Sequence, residues 1–448
     1  MLKYITKRLL LFIPTLGIMS FFVFYIAQFS QQDQLLQKEE NSYRSQSSNT
    51  IQEWEASYAL AKKHGFHEPS FYFSIYRKSS SDTLNRIQDE RIRNVLMDLA
   101  YWTGDWEKVN AFYTNVKNTL PLLNSKKQQA LIQELRTFHL NEGKTSYFIQ
   151  FSHIKTEFYS LLSITNPLNN YIPLFKWNGF ANRYHLWLSN ILKGDFGTSL
   201  IDSRSVNEKI NNAIYWTVLL SFVSLIITFS IAIPSAFYSS FNPKSFIAKI
   251  LDKLFFLFYA IPNFWVATLL ILFFASGDYL GWFPTYGLGF VQDHYSTWQT
   301  MVLRIEHLVL PIIALSYGSI AFVYKQLRIS IEQELLKDYL LTARAKGLSS
   351  STIKWRQLFK NACFPLITML GGIIPALFSG SFIVEYIFSI PGMGKLTITS
   401  ILSRDFSTIY ILLLIATFFS MFGLLLADLL YYFADPRVQL SFENKESK

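Results

Sequence analysis

Long uncharged stretches separated by charged segments dominate the pattern of polar and apolar positions along this chain. Six of these stretches lack Asp, Glu, Lys and Arg and are strongly apolar. A helix that crosses a bilayer needs about 20 mostly apolar residues, because each residue rises about 1.5 Å through a hydrocarbon core about 30 Å thick. The pattern therefore predicts six transmembrane helices, within residues 9–32, 210–243, 254–277, 307–324, 361–384 and 406–427.

Two apolar stretches have an alternative interpretation: one as a seventh span, the other as a signal peptide. Residues 158–175 are also uncharged, but three Asn and two Pro lie among them, and their polar groups would be unpaired in lipid. The first stretch follows a basic start, as in a secretory signal peptide. Its apolar run is longer than a usual signal core, and no small-x-small cleavage site ends it, so we interpret it as a membrane anchor.

The charge distribution agrees with a membrane protein. The 448 residues are 50% hydrophobic and 16% charged, with a net charge of +10, whereas a soluble protein of this size carries more charge. The basic residues follow the predicted spans and form no single patch, which argues against nucleic-acid binding. The positive-inside rule predicts that both termini and the loop Lys325–Lys360 are cytoplasmic. The loops 33–209, 278–306 and 385–405 are then extracytoplasmic.

The longest polar block, residues 33–209, has the pattern of a helical domain. Residues 82–123 and 125–144 carry apolar positions at helical spacing, with a break at Thr103-Gly104-Asp105. Residues 51–76 begin with a helical pattern that stops at Pro69. These patterns predict an α-helical extracytoplasmic domain between the first and second spans.

No catalytic or metal-binding constellation is recognisable in the sequence. PGMGKL at 391–396 resembles a phosphate-binding loop, but Ser389 and Leu396 stand where that motif requires Gly and Ser or Thr. HEPSF at 67–71 lacks the second His of a zinc-protease motif. The single cysteine, Cys363, excludes an internal disulfide. The chain is therefore predicted to bind no cofactor, metal or ATP itself and not to be an enzyme.

A basic segment, TARAKGLSSSTIKWRQLFKNA at 342–362, interrupts the apolar pattern between the fourth and fifth spans. We predict one helix from about Ile331 to Lys346, which Gly347 ends in the left-handed conformation. Ser349 or Ser350 would cap a second helix. The result is a helix–turn–helix bracket that protrudes from the membrane. An ordinary amphipathic loop would explain the charge, but not the small residues at the corner.

The fifth predicted span carries a ridge of small residues, Gly372, Ala376 and Gly380, at four-residue steps around Pro375. Such a ridge lets another helix approach closely. Plain helix packing and a face that lines a translocation pathway both remain open. Glu385 ends this span, either as a group in the pathway or as a structural partner of nearby backbone.

The bracket sequence resembles the cytoplasmic coupling loop of ABC importer permeases of the dipeptide, oligopeptide and nickel class. Further stretches resemble this family in the same order along the chain, and together they cover about residues 1–30 and 183–440. They include WLSNILKGDFGTSL, LDKLFFLFYAIPNFWVATLLILFF, EHLVLPIIALSYGSIAFVYKQLR, VEYIFSIPGMGKL and ADLLYYFADPRV. Leu341-Thr342-Ala343 replaces the general Glu-Ala-Ala, which is the variant of the peptide class. Residues 77–180 have no counterpart in the usual pattern.

The resemblance implies an all-α integral membrane protein with the type I ABC importer permease fold. It implies an N-terminal helix at 1–30, an extracytoplasmic region at 31–209 with an insertion at about 77–180, a five-helix core at 210–437 and a cytoplasmic tail at 438–448. The coupling loop would span residues 331–362. Its contact with the ATPase would be made by Thr342, Ala343, Arg344, Ala345, Lys346, Gly347 and Leu348.

The resemblance also implies partners in the bacterial inner membrane. These are a second homologous permease subunit, two ATP-binding subunits that carry the ATP, and an extracytoplasmic solute-binding protein or lipoprotein. Peptides are the leading solute class, with nickel chelates and oligosaccharides as alternatives. Two other function classes remain open from the residues alone: a membrane-anchored binding or receptor protein in which residues 33–209 do the work, and a membrane enzyme, which the absent constellation disfavours.

Overall fold

The computed structural model describes residue 6 and residues 10–27, 68–137, 151–379 and 381–434, except residues 82, 85, 86, 88, 124, 164 and 200. The helical pattern at 51–67, Gly380 and the tail at 438–448 therefore lie outside the described residues. The chain divides into two compact units. Met1–Ala27 and Phe196–Lys448 form the core unit, and Gln28–Asp195 form the inserted unit.

The elements are numbered in chain order. The core unit begins with α1 (Leu10–Ala27). The inserted unit contains β1 (Phe73–Arg77), α2 (Glu90–Thr103), α3 (Trp106–Thr119), α4 (Ser125–Thr137), α5 (Ser152–Leu162), β2 (Pro173–Trp177) and α6 (Arg183–Leu192). The core unit continues with α7 (Val206–Phe241), α8 (Phe246–Ala260), α9 (Asn263–Ala275), α10 (Thr297–Leu335) and α11 (Asp338–Ala345). Three consecutive helical pieces, Ser350–Thr352, Ile353–Leu358 and Phe359–Ala362, together form α12, and α13 (Phe364–Ser379), α14 (Phe382–Ile387), α15 (Met393–Leu402) and α16 (Phe406–Ala434) follow.

The turn between α2 and α3 confirms the predicted break at Thr103-Gly104-Asp105. Asp89 caps α2 by accepting two backbone N–H groups, and Asp105 caps α3. Gly104 ends α2 with φ +66°, and a Cβ at this position would overlap the carbonyl oxygen of Asn166. Glycine is therefore required here both by the backbone conformation and by the close approach.

The inserted unit has an apolar core of large side chains from α2, α3, α4 and α5. Its largest fully buried side chains are Leu96, Leu99, Leu131 and Phe158, with exposures of 0–2%. Phe112 packs on Phe158 with the ring centroids 5.7 Å apart. This packing is that of an ordinary water-soluble helical domain, since the large apolar side chains are removed from solvent.

The inserted unit also contains a two-stranded antiparallel sheet, which the all-α prediction missed. β1 pairs with β2 in the register Phe73 with Trp177 and Arg77 with Pro173. Ile75 and Phe175, which pair in the middle, are both more than 60% exposed. Because every position of β2 is exposed and β1 alternates only between exposed and half-buried positions, the sequence carries no alternation of buried apolar and exposed polar residues for them. β2 begins in the uncharged stretch 158–175 that was rejected as a span and extends beyond it.

Among the described residues of the core unit, four helices are long and apolar enough to cross a membrane: α1, α7, α10 and α16. The predicted third span, 254–277, is wrong as a single helix. α8 and α9 meet at Ile261-Pro262 with a bend of 98°, and they make a fifth span if the bent pair is counted as one. Pro262 has no N–H to continue the helix, and the Tyr317 hydroxyl donates to the Ile261 carbonyl at 2.7 Å.

The predicted fifth span, 361–384, is also wrong as a single helix. It consists of α13, with 16 residues, followed by the separate short helix α14. α13 is shorter than the roughly 20 residues of a typical spanning helix. The described residues thus show four long apolar helices, one bent pair and one short apolar helix where the sequence predicted six similar spans.

α7 packs along α10 through a seam of small residues. The buried positions of α7 include Ala213, Thr217, Ser224, Thr228, Ala232 and Ala236. The Ser316 hydroxyl of α10 donates to the Ser224 carbonyl of α7 at 3.4 Å. Large apolar residues of α7, such as Phe222 and Ile226, are at least half exposed. Small residues inside and large ones outside are typical of helices that face lipid.

Candidate functional site

The segment between α10 and α13 forms a bracket, but its first helix differs from the prediction. The expected continuous helix from Ile331 to Lys346 is broken, because α10 ends at Leu335 and α11 begins at Asp338. The side chain of Leu336, at the break, is 87% exposed. Gly347 has φ +77° and follows the end of α11, as predicted. Ser349 caps the next helix by accepting the Thr352 N–H at 3.2 Å.

Glu334 fixes the break between α10 and α11. Its carboxylate is 8% exposed, pairs with Lys337 and accepts the Tyr339 hydroxyl at 2.7 Å. Burial and the neighbouring carboxylate raise the pKa of the Tyr339 phenol, so this group stays protonated and donates to Glu334 across the physiological range. The sequence analysis missed Glu334. Its spacing of three residues from Lys337 was the available signal.

The seven predicted coupling residues do not share one environment. Thr342, Arg344, Ala345, Lys346, Gly347 and Leu348 are exposed, whereas Ala343 is 4% exposed. Ala343 belongs to the buried cluster that also contains Leu340, Ile353 and Leu358. The bracket therefore presents a small, basic corner, and Ala343 supports this corner from within. The contact of this corner with an ATPase stays a prediction.

The second arm of the bracket packs on the end of α7 through aromatic rings. Trp355 stacks on Phe237 with the centroids 5.1 Å apart and the planes 4° apart. Phe359 lies 5.1 Å from the same ring, and the Lys354 ammonium lies 4.3 Å from the Phe241 ring centroid. Such contacts together fix the orientation of the arm relative to α7.

The small residues of the fifth predicted span are distributed over two faces of α13. Pro375 packs against Gly423 of α16, and Gly371 meets Ala427 of the same helix. A Cβ at Gly372 would meet nothing within 4 Å in this chain. The close approach of α13 and α16 thus uses Gly371 and Pro375, while Gly372 faces open space. The Ala376 side chain and Gly380 lie outside the described part, so the choice between pathway and packing stays a prediction.

Glu385 lies in α14 and is fully buried, at 0% exposure. Its Oε2 accepts the backbone N–H groups of Gly394 at 2.7 Å and Lys395 at 3.3 Å. Its Oε1 accepts the Ser381 N–H at 3.2 Å and the Thr217 hydroxyl of α7 at 3.0 Å. Four donors around one carboxylate match the structural alternative of the sequence analysis, in which the acid holds nearby backbone.

A second buried carboxylate, which sequence reasoning missed, lies at the start of α16. Asp405 is 2% exposed. Its Oδ2 accepts the hydroxyls of Ser199 and Thr408 at 2.7 Å each and the Lys209 ammonium of α7 at 2.9 Å. Lys209 also pairs with Asp202 at 2.9 Å. The available signal was an acid immediately before an uncharged window, the position of a helix N-cap.

The electrostatics of Asp405 follow from these contacts. Burial alone would raise the pKa of this carboxyl. The hydrogen bonds from Thr408, Lys209 and Ser199 and the positive charge of Lys209 outweigh burial and hold the pKa below its ordinary value. Asp405 is therefore ionised at neutral pH and binds Lys209 as a charged pair.

Comparison with known proteins shows to which family this chain belongs. Residues 229–440 match the family of binding-protein-dependent transport system inner membrane components. The oligopeptide transport system permease protein AppB of Bacillus subtilis is 36% identical over 258 residues, which cover 57% of this chain and 80% of that protein. The chain belongs to this family of ABC importer permeases. The resemblance stated from the sequence is thereby confirmed.

Two further relatives agree with this assignment. The peptidoglycan transport system permease protein YejB of Agrobacterium fabrum is 35% identical over 264 residues, covering 57% of this chain and 71% of that protein. The dipeptide transport system permease protein DppB of Bacillus subtilis is 33% identical over 259 residues, covering 58% and 79%. The permease is thus a multi-pass inner membrane subunit of an importer, and it is a transport subunit and not itself the ATPase. Among the described residues no group of His, Cys, Asp and Glu could hold a metal ion.

Proposed function

We propose that this permease carries peptides through the inner membrane and is driven by separate ATPase subunits that bind the corner 342–348. Two relatives are named for oligopeptide and dipeptide transport, which favours peptides over nickel chelates and oligosaccharides. The partners would be a second permease, two ATP-binding subunits that hold the ATP, and an extracytoplasmic solute-binding protein or lipoprotein. No cofactor would be bound by this chain.

The topology that fits this function has six crossings and cytoplasmic termini. α1, α7, α10 and α16 supply four crossings, the bent pair α8 and α9 supplies one, and α13 supplies the last. The basic residues before α1 and between α10 and α13 favour this orientation by the positive-inside rule. The inserted unit would then face the extracytoplasmic side, and the bracket would face the cytoplasm.

The observation that carries the coupling proposal is an exposed basic corner on a buried support. Arg344, Lys346 and Gly347 are exposed, while Ala343 and Leu340 beneath them are 4% and 3% exposed. Small residues let a partner approach the backbone closely, and the two cations favour an acidic partner surface. A displacement of this corner by the partner would also be transmitted to α7 through the stacked rings of Trp355 and Phe237.

Substitution of Gly347 tests the coupling proposal. We expect Gly347→Asp to insert normally but to reduce ATP-driven peptide uptake by about tenfold or more, because a negative charge opposes an acidic partner surface. The measurement is uptake of labelled di- to pentapeptides by proteoliposomes that contain the permease, its partner subunits and the binding protein.

The matched control is Gly347→Asn, which has nearly the same size and also tolerates the left-handed conformation. We expect this variant to retain most of the uptake. Equal uptake by Gly347→Asp and the unsubstituted permease would contradict coupling at this corner. Equal loss in both variants would assign the effect to backbone strain at φ +77° and not to the charge.

A further inference from the structure

Two buried carboxylates fasten one stretch of the core unit to the same helix. Residues 381–408, here called the cap segment, contain α14, α15 and the start of α16. Glu385 lies near the beginning of the cap segment and receives the Thr217 hydroxyl of α7. Asp405 lies near its end and receives the Lys209 ammonium of α7. Both partners lie in the N-terminal third of α7.

The first attachment is tight enough to exclude side chains. A Cβ at Gly392 would overlap both Glu385 Oε2 and Thr217 Oγ1. The Met393 N–H donates to Thr217 Oγ1 at 2.7 Å, while the same hydroxyl donates to Glu385. The turn before α15 is therefore held to α7 by the Thr217 hydroxyl, which accepts one hydrogen bond and donates another. Sliding of this turn along α7 would leave buried donors unpaired, which is costly.

The second attachment is a charged pair in a dry environment. The Lys209 side chain is 15% exposed and the Asp405 side chain 3%. Separation would leave the buried Asp405 carboxylate with hydroxyl donors but no cation, whereas Lys209 would keep its ion pair with the exposed Asp202. A buried carboxylate without its cation costs more than loss of a surface ion pair. Ser199 lies just before α7 and also donates to Asp405. The end of the cap segment is thus attached to α7 and to the chain that leads into it.

The other end of α7 holds the bracket. Phe237 stacks on Trp355, and Phe241 lies under the Lys354 ammonium. Between Lys209 and Phe237 the helix is about 40 Å long, at about 1.5 Å per residue. Over this length α7 is one helix with Pro234 inside it, and it packs against α10, so α7 joins the bracket to the cap segment.

We infer that Glu385 and Asp405 are positioning residues that fix the cap segment to α7, so that a displacement of the bracket by the ATPase reaches the cap segment at the other end of the helix. This inference rests on the proposed function. Both carboxylates are buried, so neither presents an open surface to a solute. Each acts by keeping a loop and a helix in one moving body, as in the rigid-body rocking of alternating-access transporters.

A role in folding alone predicts a different result from a role in positioning. If the carboxylates only stabilised the fold, their loss would lower the amount of assembled importer, and the remaining complexes would transport with unchanged efficiency. If they position the cap segment, assembled complexes would hydrolyse ATP while moving less peptide. Uptake per ATP hydrolysed therefore separates the two roles, because it does not depend on the amount of complex.

The experiment uses the complete importer in proteoliposomes with labelled di- to pentapeptides. Uptake and ATP hydrolysis are measured for Glu385→Gln, for Asp405→Asn and for the control Asp278→Asn, which removes an exposed carboxylate after α9. We expect uptake per ATP to fall about tenfold for Glu385→Gln and about threefold for Asp405→Asn, since buried charge-assisted hydrogen bonds are lost. The control should be unchanged.

A further variant tests the inference in case Glu385→Gln does not assemble. Lys209→Met combined with Asp405→Asn removes the pair without leaving a buried charge, so it should assemble even if Glu385→Gln does not, and its uptake per ATP should also fall about threefold. Unchanged uptake per ATP in the variants that assemble would overturn the inference. Absence of peptide uptake by the unsubstituted importer would instead overturn the proposed function, so the two failures are distinguishable.

Discussion

In the inserted unit the helices α2, α3, α4 and α5 bury large apolar side chains between them, whereas many large apolar side chains of the core unit are exposed. Leu96 and Leu131 of the inserted unit are 0% exposed, while Phe256 and Phe222 of the core unit are 72% and 52% exposed. The interior of the core unit is lined along α7 by small residues. The difference agrees with water around the inserted unit and lipid around the core unit. Burial of large apolar side chains stabilises a protein in water, whereas close packing of helices stabilises a protein in lipid.

Acidic residues show the same contrast. The inserted unit uses Asp89 and Asp105 at its surface as helix caps. The core unit buries Glu334, Glu385 and Asp405, each with several donors. Unpaired backbone groups are costly where water is absent, so a buried carboxylate that collects several N–H groups can fasten loops there. In the inserted unit the two capping carboxylates lie at the surface, and apolar packing holds the helices together.

The largest expected effect is on the inserted unit. Phe158→Ala removes a ring that is 2% exposed and packs on Phe112. We expect a loss of about 3–5 kcal/mol of local stability, because a cavity replaces the buried ring. Hydrogen exchange of the amides of α2, α3 and α5 in the full-length permease measures this loss.

The control for this change is Met97→Ala on α2, where the side chain is 49% exposed. It should alter the exchange rates by less than about 0.5 kcal/mol, as is usual for surface positions. Similar effects of Phe158→Ala and Met97→Ala would mean that the inserted unit is not held by a water-excluding core, and the comparison of the two units would fail.

The next effect concerns the small-residue seam of the core unit. Ala232→Leu adds volume at a position with 0% exposure where α7 packs on α10. We expect a destabilisation of about 1–3 kcal/mol, because overpacking forces the two helices apart. Thermal unfolding of the purified permease in detergent measures it.

Ile231→Phe is the control, since it adds volume at the adjacent position, which is 43% exposed. A side chain that faces lipid can enlarge without moving a neighbouring helix. We expect little change in the unfolding temperature. An equally large loss in Ile231→Phe would show that the outer face of α7 is also packed, and it would remove the contrast between interior and exterior.

The sequence pattern predicted which segments face lipid better than it predicted where each helix begins, breaks and ends. The uncharged windows located α7, α10 and α16, because a long apolar stretch without charges indicates a helix in the membrane. The break at Pro262 was missed, since an apolar window says little about whether a helix continues through it. The break at Leu336 was missed because it accompanies the contacts of Glu334 with Lys337 and Tyr339. The two strands were missed because Ile75 and Phe175 are exposed on a sheet with no buried face, so no alternation marks them.

The candidate site was predictable where the signal is local. Gly347 and Ser349 are a helix end and a cap, and both were located from neighbouring residues alone. Asp405 depends on Ser199 and Lys209, which are distant in the sequence. No pattern along one chain reports such a pairing, because it is produced by the packing of α7 against the cap segment.

The smallest expected effect is a pH dependence that belongs to the core unit. The pKa of Asp405 is lower in the folded protein than the ordinary value of about 3.9. A lowered pKa contributes stability that is fully present above the ordinary value and is lost as the pH falls through the folded value. The difference in unfolding temperature between the permease and Asp405→Asn should therefore be constant from pH 8 to about pH 5 and shrink below about pH 4.

This difference should correspond to about 1 kcal/mol, since neutral hydrogen bonds of Asn to Thr408 and Ser199 replace part of what the carboxylate supplied. Asp89→Asn is the matched control, because its carboxylate caps α2 at the surface and keeps its acceptor oxygen in the variant. A difference that grows as the pH falls would mean that Asp405 is bound in its protonated form. The charged pair with Lys209 would then not hold the cap segment, and only the hydrogen bonds of Glu385 would remain to attach it to α7.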